Sequence, residues 1–151
     1  MQRSLNVVRH GTTMAVMVCE DLARFDPVHP VVRAVGPNLV IALLMDGPQL
    51  KGRWPSQYAT VLADDPGSTV LTFTCLGMVL RSDKPGADIP RTIALWKQPG
   101  GNVEELKLPN GNHAILMTLS LHKDEQFTLD GRTDNGTTSR FELSGVRGIK
   151  I

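Results

Sequence analysis

The chain has 151 residues, of which 41% are hydrophobic and 21% charged, a composition ordinary for a globular domain with its own core. Sixteen basic and fifteen acidic residues leave a formal charge of +1, and only 5% of the residues are aromatic. Neither a strong positive field nor a base-stacking surface is expected, so the composition argues against a nucleic-acid partner.

The two cysteines, Cys19 and Cys75, are too few and too widely spaced for a disulfide framework or a zinc site. No metal and no cofactor is expected, and a reduced, cytoplasmic location is the prediction. The first six residues contain no signal-peptide apolar core. No apolar run approaches the roughly 20 residues that a membrane helix needs, so a membrane partner is not expected either.

Strands and helices are predicted to alternate in the first half of the chain. Strands are expected over 5–9 and 13–18, and the second, apolar at nearly every position, should be covered on both faces. A helix should start with Asp26 as its N-cap and end at Gly36. The pattern continues with a strand over 39–45, a helix over 54–64 and a strand over 69–75, on which Cys75 is expected to be a core residue.

This order of elements predicts parallel crossover units, in which sites are usually built at the carboxyl ends of the strands. After residue 80 the pattern changes to a polar loop, 82–90, and closely spaced strands separated by Pro- and Gly-rich turns. Strands are predicted over 92–97, 103–108 and 113–121, with short additions at 127–129 and 140–143. We expect an antiparallel extension of the same sheet, so that 1–80 and 81–151 form a single α/β domain.

The tripeptide Cys19-Glu20-Asp21, at the end of the apolar run 14–18, is the strongest candidate for chemistry. A cysteine at the carboxyl end of a buried strand, before a turn and a helix, is a common position for a nucleophile. As an alternative, Cys19 is a small hydrophobic residue of the core, as most free cysteines are. A Cys–His pair with His10 or His29 is a further alternative, although no protease signature surrounds these histidines.

The segment 15–22 resembles the nucleophile segment of the nitrilase superfamily, the carbon–nitrogen hydrolases, in which a buried strand leads into Cys-Glu-Asp or a similar sequence. Later segments resemble the same family in the same order. Residues 36–40 resemble its entry to the next strand, 53–63 the following helix, and 70–74 the strand after that helix. The predicted hairpin over 93–108 resembles the terminal region of the family.

The resemblance implies the carboxyl-terminal half of an α-β-β-α sandwich that hydrolyses a small amide or nitrile through a cysteine thioester. It implies Cys19 as the nucleophile and the backbone N–H of Glu20 as a donor to the oxyanion. Arg53 and Trp54 would lie near the substrate. Asp21 is expected either to contact the substrate or to order the turn and cap the next helix.

In that family the base glutamate and the oxyanion lysine precede the cysteine, and residues 1–18 contain neither residue type. The sequence therefore predicts a fragment or a degenerate paralogue that is weak or inactive by itself. A non-catalytic interaction module is the alternative function, because half of a sandwich would expose apolar faces for homodimerisation or for docking onto a missing amino-terminal half. A coincidental Cys-Glu-Asp in an unrelated α/β protein is the third hypothesis.

Overall fold

The computed structural model describes residues 5–9, 11–82, 90–125 and 137–151, which form a mixed α/β fold. These residues contain eight strands, three α-helices and one 3-10 helix. In chain order the elements are β1 (Leu5–Arg9), β2 (Thr12–Val18), the 3-10 helix (Cys19–Leu22), α1 (Val28–Val35), β3 (Leu39–Leu43), α2 (Trp54–Asp64), β4 (Thr69–Phe73), α3 (Leu76–Ser82), β5 (Thr92–Lys97), β6 (Val103–Lys107), β7 (Ala114–Glu125) and β8 (Thr137–Ile149).

The first six strands form one mixed sheet in the order β1-β2-β3-β4-β5-β6. β2, β3 and β4 are parallel neighbours, as the alternation of strands and helices predicted, and β1, β5 and β6 pair antiparallel at the two edges. Val18 lies beside Leu43, and Leu43 lies beside Phe73. The three parallel strands therefore end level with one another.

The 3-10 helix, α1 and α2 cover one face of this sheet. Val28 and Val32 of α1 and Leu62 of α2 pack with Val40 and Ala42 of β3 in one core cluster. Val40 and Ala42 are fully buried, because alternate residues of a strand point to the same face and this face meets the helices. No helix in the described part of the chain is long and apolar enough to cross a membrane.

β7 and β8 form a separate two-stranded sheet that packs on the opposite face. The expected extension of the first sheet is therefore correct for β5 and β6 and wrong for β7 and β8. The reason is an apolar stripe with the period of a strand, which is partly buried by packing on the sheet face and not by pairing at its edge. Its residues are Ile115, Met117, Leu119 and Leu121 of β7 with Phe141 and Leu143 of β8.

Hydrogen bonds at the amino ends of the parallel strands attach β8 to the six-stranded sheet. The Asn38 side chain accepts the backbone N–H of Thr13 at 2.8 Å and donates to the carbonyl of Ser139 at 2.6 Å. The Thr69 hydroxyl donates to the carbonyl of Phe141 at 3.1 Å. The β7–β8 hairpin is therefore held against the amino ends of the parallel strands.

The sheet face on which β7 and β8 pack is uncovered near the carboxyl ends of β2 and β3. Val16 and Val18 remain 45% and 51% exposed, and Leu43 is 39% exposed. The prediction that β2 is covered on both faces is therefore wrong over its last residues. The hairpin accounts for this result, because β8 is attached at the opposite ends of these strands.

Two local predictions also need correction. α1 begins at Val28 with Pro27 in the N-cap position, and Asp26 is not the cap. Cys75 is exposed and lies beyond β4, because its carbonyl accepts the N–H of Val79 at 3.3 Å and the chain turns into α3, which was not predicted. The predicted strand at 127–129 lies outside the described residues, and 140–143 belongs to β8.

Replacing Asn38 with alanine should lower the free energy of unfolding by about 2 kcal/mol, because it removes hydrogen bonds to two elements worth about 1 kcal/mol each. Urea denaturation measures this change. Asn102→Ala is the control, since Asn102 is exposed between β5 and β6, and this variant should stay within about 0.5 kcal/mol of the wild type. Equal stability of the two variants would contradict the role given to Asn38.

Candidate functional site

The candidate site is the turn that follows β2. β2 ends at Val18, and Cys19 begins the 3-10 helix with a φ angle of 49°. Among the described residues, Cys19 is the one non-glycine residue with a positive φ. The left-handed region costs a residue with a Cβ atom about 1–2 kcal/mol. Such conformations cluster at functional sites, and sharp strand-to-helix turns of this kind carry the nucleophile in α/β hydrolases.

Two local hydrogen bonds order this turn. The carboxylate of Asp21 accepts the backbone N–H of Val18 at 3.4 Å, a long bond that reaches back across Cys19. The backbone N–H of Ala23 donates to the carbonyl of Glu20 at 3.0 Å. Asp21 therefore contributes to the turn itself, which is one of the two roles expected from its position, and a substrate contact for Asp21 stays a prediction.

A hydrogen bond from α1 reaches the other end of the turn. The carbonyl of Leu22 accepts a hydrogen bond from Nε2 of His29 at 2.9 Å, and both residues are buried. Because a carbonyl oxygen can only accept, this contact requires the proton of a neutral His29 to be on Nε2. His29 thus has a partner other than the Cys19 thiol, and His10, the other histidine considered for a Cys–His pair, lies outside the described residues.

The carboxylate of Glu20 points away from the turn, into solvent. Its side chain is 83% exposed and forms an ion pair with Arg24 at 3.5 Å, one turn further along the chain. An exposed pair of this kind contributes little to stability. The N–H of Glu20 belongs to the first turn of the 3-10 helix, where N–H groups have no acceptor within the helix. The resemblance implies this group as the oxyanion donor, and that role stays a prediction.

Arg53 and Trp54 lie at the start of α2 and have structural partners there. Arg53 forms an ion pair with Asp46 at 2.8 Å, in the loop that follows β3, and the hydroxyl of Thr74 donates to the carbonyl of Asp46 at 2.7 Å. Trp54 packs against the core, with its ring 6.0 Å from that of Tyr58. Both side chains order the surroundings of the site, and their contact with substrate stays a prediction.

An apolar groove of about 410 Å³ lies at the carboxyl ends of β2, β3 and β4. Cys75 lies on its wall, whereas Cys19 follows a lining residue without lining the groove itself. Both cysteines are free thiols, and β3 separates the strands that precede them, so the last residues of those strands, Val18 and Phe73, lie two strand spacings, or about 10 Å, apart. The groove is lined by Val18, Leu43, Leu44, Met45, Phe73, Thr74, Cys75 and Met78.

Comparisons with known proteins found no match for this chain among protein-family models, curated proteins or solved structures. Within the described ranges, no three or more His, Cys, Asp or Glu side chains are grouped so as to hold a metal ion. The geometry of Cys19 and its neighbours is therefore the observation that bears on function.

Cys19→Gly should be more stable than Cys19→Ala by about 0.5–1 kcal/mol, because glycine adopts the left-handed conformation without a Cβ clash. The free energies of unfolding of the two variants in urea give this difference. The order should reverse at Val18, where φ is −121° and glycine costs about 0.5–1 kcal/mol relative to alanine. An alanine variant at position 19 that equals or exceeds the glycine variant would rule out a strained Cys19 backbone.

Proposed function

We propose that this protein is a carbon–nitrogen hydrolase-like protein in which Cys19 is the nucleophile and a small amide or nitrile is the substrate. The supporting observation is the left-handed backbone of Cys19 at a strand-to-helix turn. This turn lies at the carboxyl end of a parallel strand, where open α/β sheets usually carry their sites. The proposed architecture is one half of a nitrilase-type α-β-β-α sandwich, with α1 and α2 in its outer helix layer.

In the proposed reaction on an amide, the thiolate of Cys19 attacks the carbonyl carbon, a C–S bond forms, and the carbonyl oxygen becomes an oxyanion. The backbone N–H of Glu20 donates a hydrogen bond to that oxyanion. When the oxyanion collapses, the C–N bond breaks and the nitrogen leaves as ammonia or an amine after taking up a proton. Water then hydrolyses the thioester, which releases the carboxylic acid and restores the Cys19 thiol.

In this proposal, the base glutamate and the oxyanion lysine of the family are the groups that the segment before Cys19 does not supply. Residues 1–18 contain no glutamate and no lysine. Glu20 is paired with Arg24 in solvent, and the carboxylate of Asp46 is paired with Arg53. In this proposal the base and the oxyanion lysine are contributed from outside residues 1–151, and the chain alone hydrolyses unactivated amides weakly or not at all.

An activated ester separates the nucleophile from the missing base, because the p-nitrophenolate of p-nitrophenyl acetate leaves without being protonated. The full chain should form a stoichiometric acetyl thioester on Cys19, and faster than on Cys75 although Cys75 is the more exposed cysteine. Intact mass and peptide mapping locate the acetyl group. Cys75→Ala should retain this product and Cys19→Ala should lose it.

Acetylation of Cys75 at a rate equal to or above that of Cys19 would overturn the assignment of the nucleophile. Sustained turnover of an unactivated amide by the pure chain, abolished in Cys19→Ala, would instead overturn the proposed need for an external base. The two results concern different parts of the proposal, since the ester requires the thiol alone and the amide requires the thiol and a proton source.

A non-catalytic interaction module is the second candidate function, and the uncovered carboxyl-end part of the sheet face favours it. Val16, Val18 and Met45 are 45%, 51% and 73% exposed, and Val18 and Met45 line the apolar groove. Exposed apolar surface of this kind often marks an interaction site. In this proposal the occupant is a second copy of the chain.

Sedimentation equilibrium at micromolar concentration tests this second function. The wild type should be a dimer, and Val18→Lys should shift the equilibrium to monomer because it places a charge in the apolar contact. Val61→Lys is the matched control, since Val61 is 40% exposed on α2, whose helix layer covers the other face of the sheet. A monomeric wild type would exclude self-association as the function of this surface.

A further inference from the structure

His29 connects α1 to the turn that contains Cys19. It is only 2% exposed, and its Nε2 atom lies 2.9 Å from the carbonyl oxygen of Leu22. Leu22 is fully buried and is the last residue of the 3-10 helix that Cys19 begins. The hydrogen bond from His29 therefore fixes the end of the turn opposite to β2.

Two aromatic rings restrict the orientation of the His29 imidazole. The ring of Phe25, which precedes α1, lies 6.0 Å away, and the ring of Tyr58 on α2 meets the imidazole edge-on at 6.2 Å. Nδ1 of His29 is buried and has no hydrogen-bond partner. The hydrogen bond that this imidazole forms is the one from Nε2 to the carbonyl of Leu22. Packing from two sides thus directs the Nε2 proton at the Leu22 carbonyl.

A left-handed residue with a Cβ atom keeps that conformation only while the chain on both of its sides is held in place. Before Cys19, the pairing of β2 with β3 extends up to Val18 and Leu43. After Cys19, the turn is held by the burial of Leu22, by the bond from His29 and by the local bonds of Asp21 and Ala23. Loss of the His29 bond removes the restraint that comes from α1 and leaves a buried carbonyl without its partner, which favours rearrangement.

We propose that His29 is a positioning residue for Cys19, which keeps the cysteine backbone left-handed and its thiol presented at the end of β2. This role of His29 rests on the proposed role of Cys19 as the nucleophile. The coupling itself, from the His29 N–H through Leu22 to Cys19, is measurable without any substrate.

The test is site-resolved alkylation of the full chain with iodoacetamide, with Cys75 as the internal reference for Cys19. His29→Met replaces the imidazole by a side chain without a donor, whereas His29→Gln keeps an N–H donor of similar reach. The Cys19 to Cys75 rate ratio should fall about tenfold in His29→Met, which corresponds to about 1.4 kcal/mol, and should stay within about twofold of the wild type in His29→Gln.

Val32→Ala is the control for a general loss of stability, because it shortens a buried side chain of α1 without touching the Leu22 carbonyl. The rate ratio should not change in this variant. An unchanged ratio in His29→Met, or an equal fall in Val32→Ala, would overturn the proposal. If His29→Met does not fold, ¹⁵N NMR of the wild-type imidazole decides: the Nε2–H tautomer supports the bond, and the Nδ1–H tautomer overturns it.

This result and that of the acetylation experiment are separable. A lower rate ratio in His29→Met together with no acetylation of Cys19 would support the coupling between His29 and Cys19 but contradict the role of Cys19 as a nucleophile. Acetylation of Cys19 in the wild type with an unchanged rate ratio in His29→Met would support Cys19 as the nucleophile but contradict the positioning role of His29.

Discussion

The left-handed backbone of Cys19 exists because the chain is held on both sides of a very short connection. β2 pairs with β3 up to its last residue, and Leu22, at the other end of the 3-10 helix, is buried beneath the helix layer. The direction of the chain must change between these two points, and a residue with a Cβ atom accepts the strain. The parallel sheet and the helix layer together thus determine the geometry of the candidate nucleophile.

Elements whose signals are local could be predicted from the sequence. The predicted bounds of α2 and β5 agree with the structure, because Pro66-Gly67 ends the helix and turn residues follow the strand. The sequence did not indicate that β7 and β8 lie across the sheet, since the same alternating pattern suits an edge strand or a second layer. α3 was missed because it is short and contains Gly77, a weak helix former.

The site could be predicted only in part, because its main features depend on tertiary packing and not on local sequence signals. The apolar strand before Cys19 is visible in the sequence, but a positive φ is normally signalled by glycine, and this position is a cysteine. The bond between His29 and Leu22 depends on how α1 docks beside the turn. A histidine among the valines of an apolar helix face was the available signal, and it indicates burial without naming the partner.

The conformation of Cys19 in solution tests the proposed site most directly. The one-bond Cα–Hα coupling and cross-correlated relaxation of this residue, measured by NMR on the full chain, report the sign of its φ angle. We expect a positive φ, near the 49° of the structure. A negative φ, with β2 passing into the next turn through an ordinary extended or helical residue, would contradict the strained turn on which the proposed nucleophile and its positioning by His29 both depend.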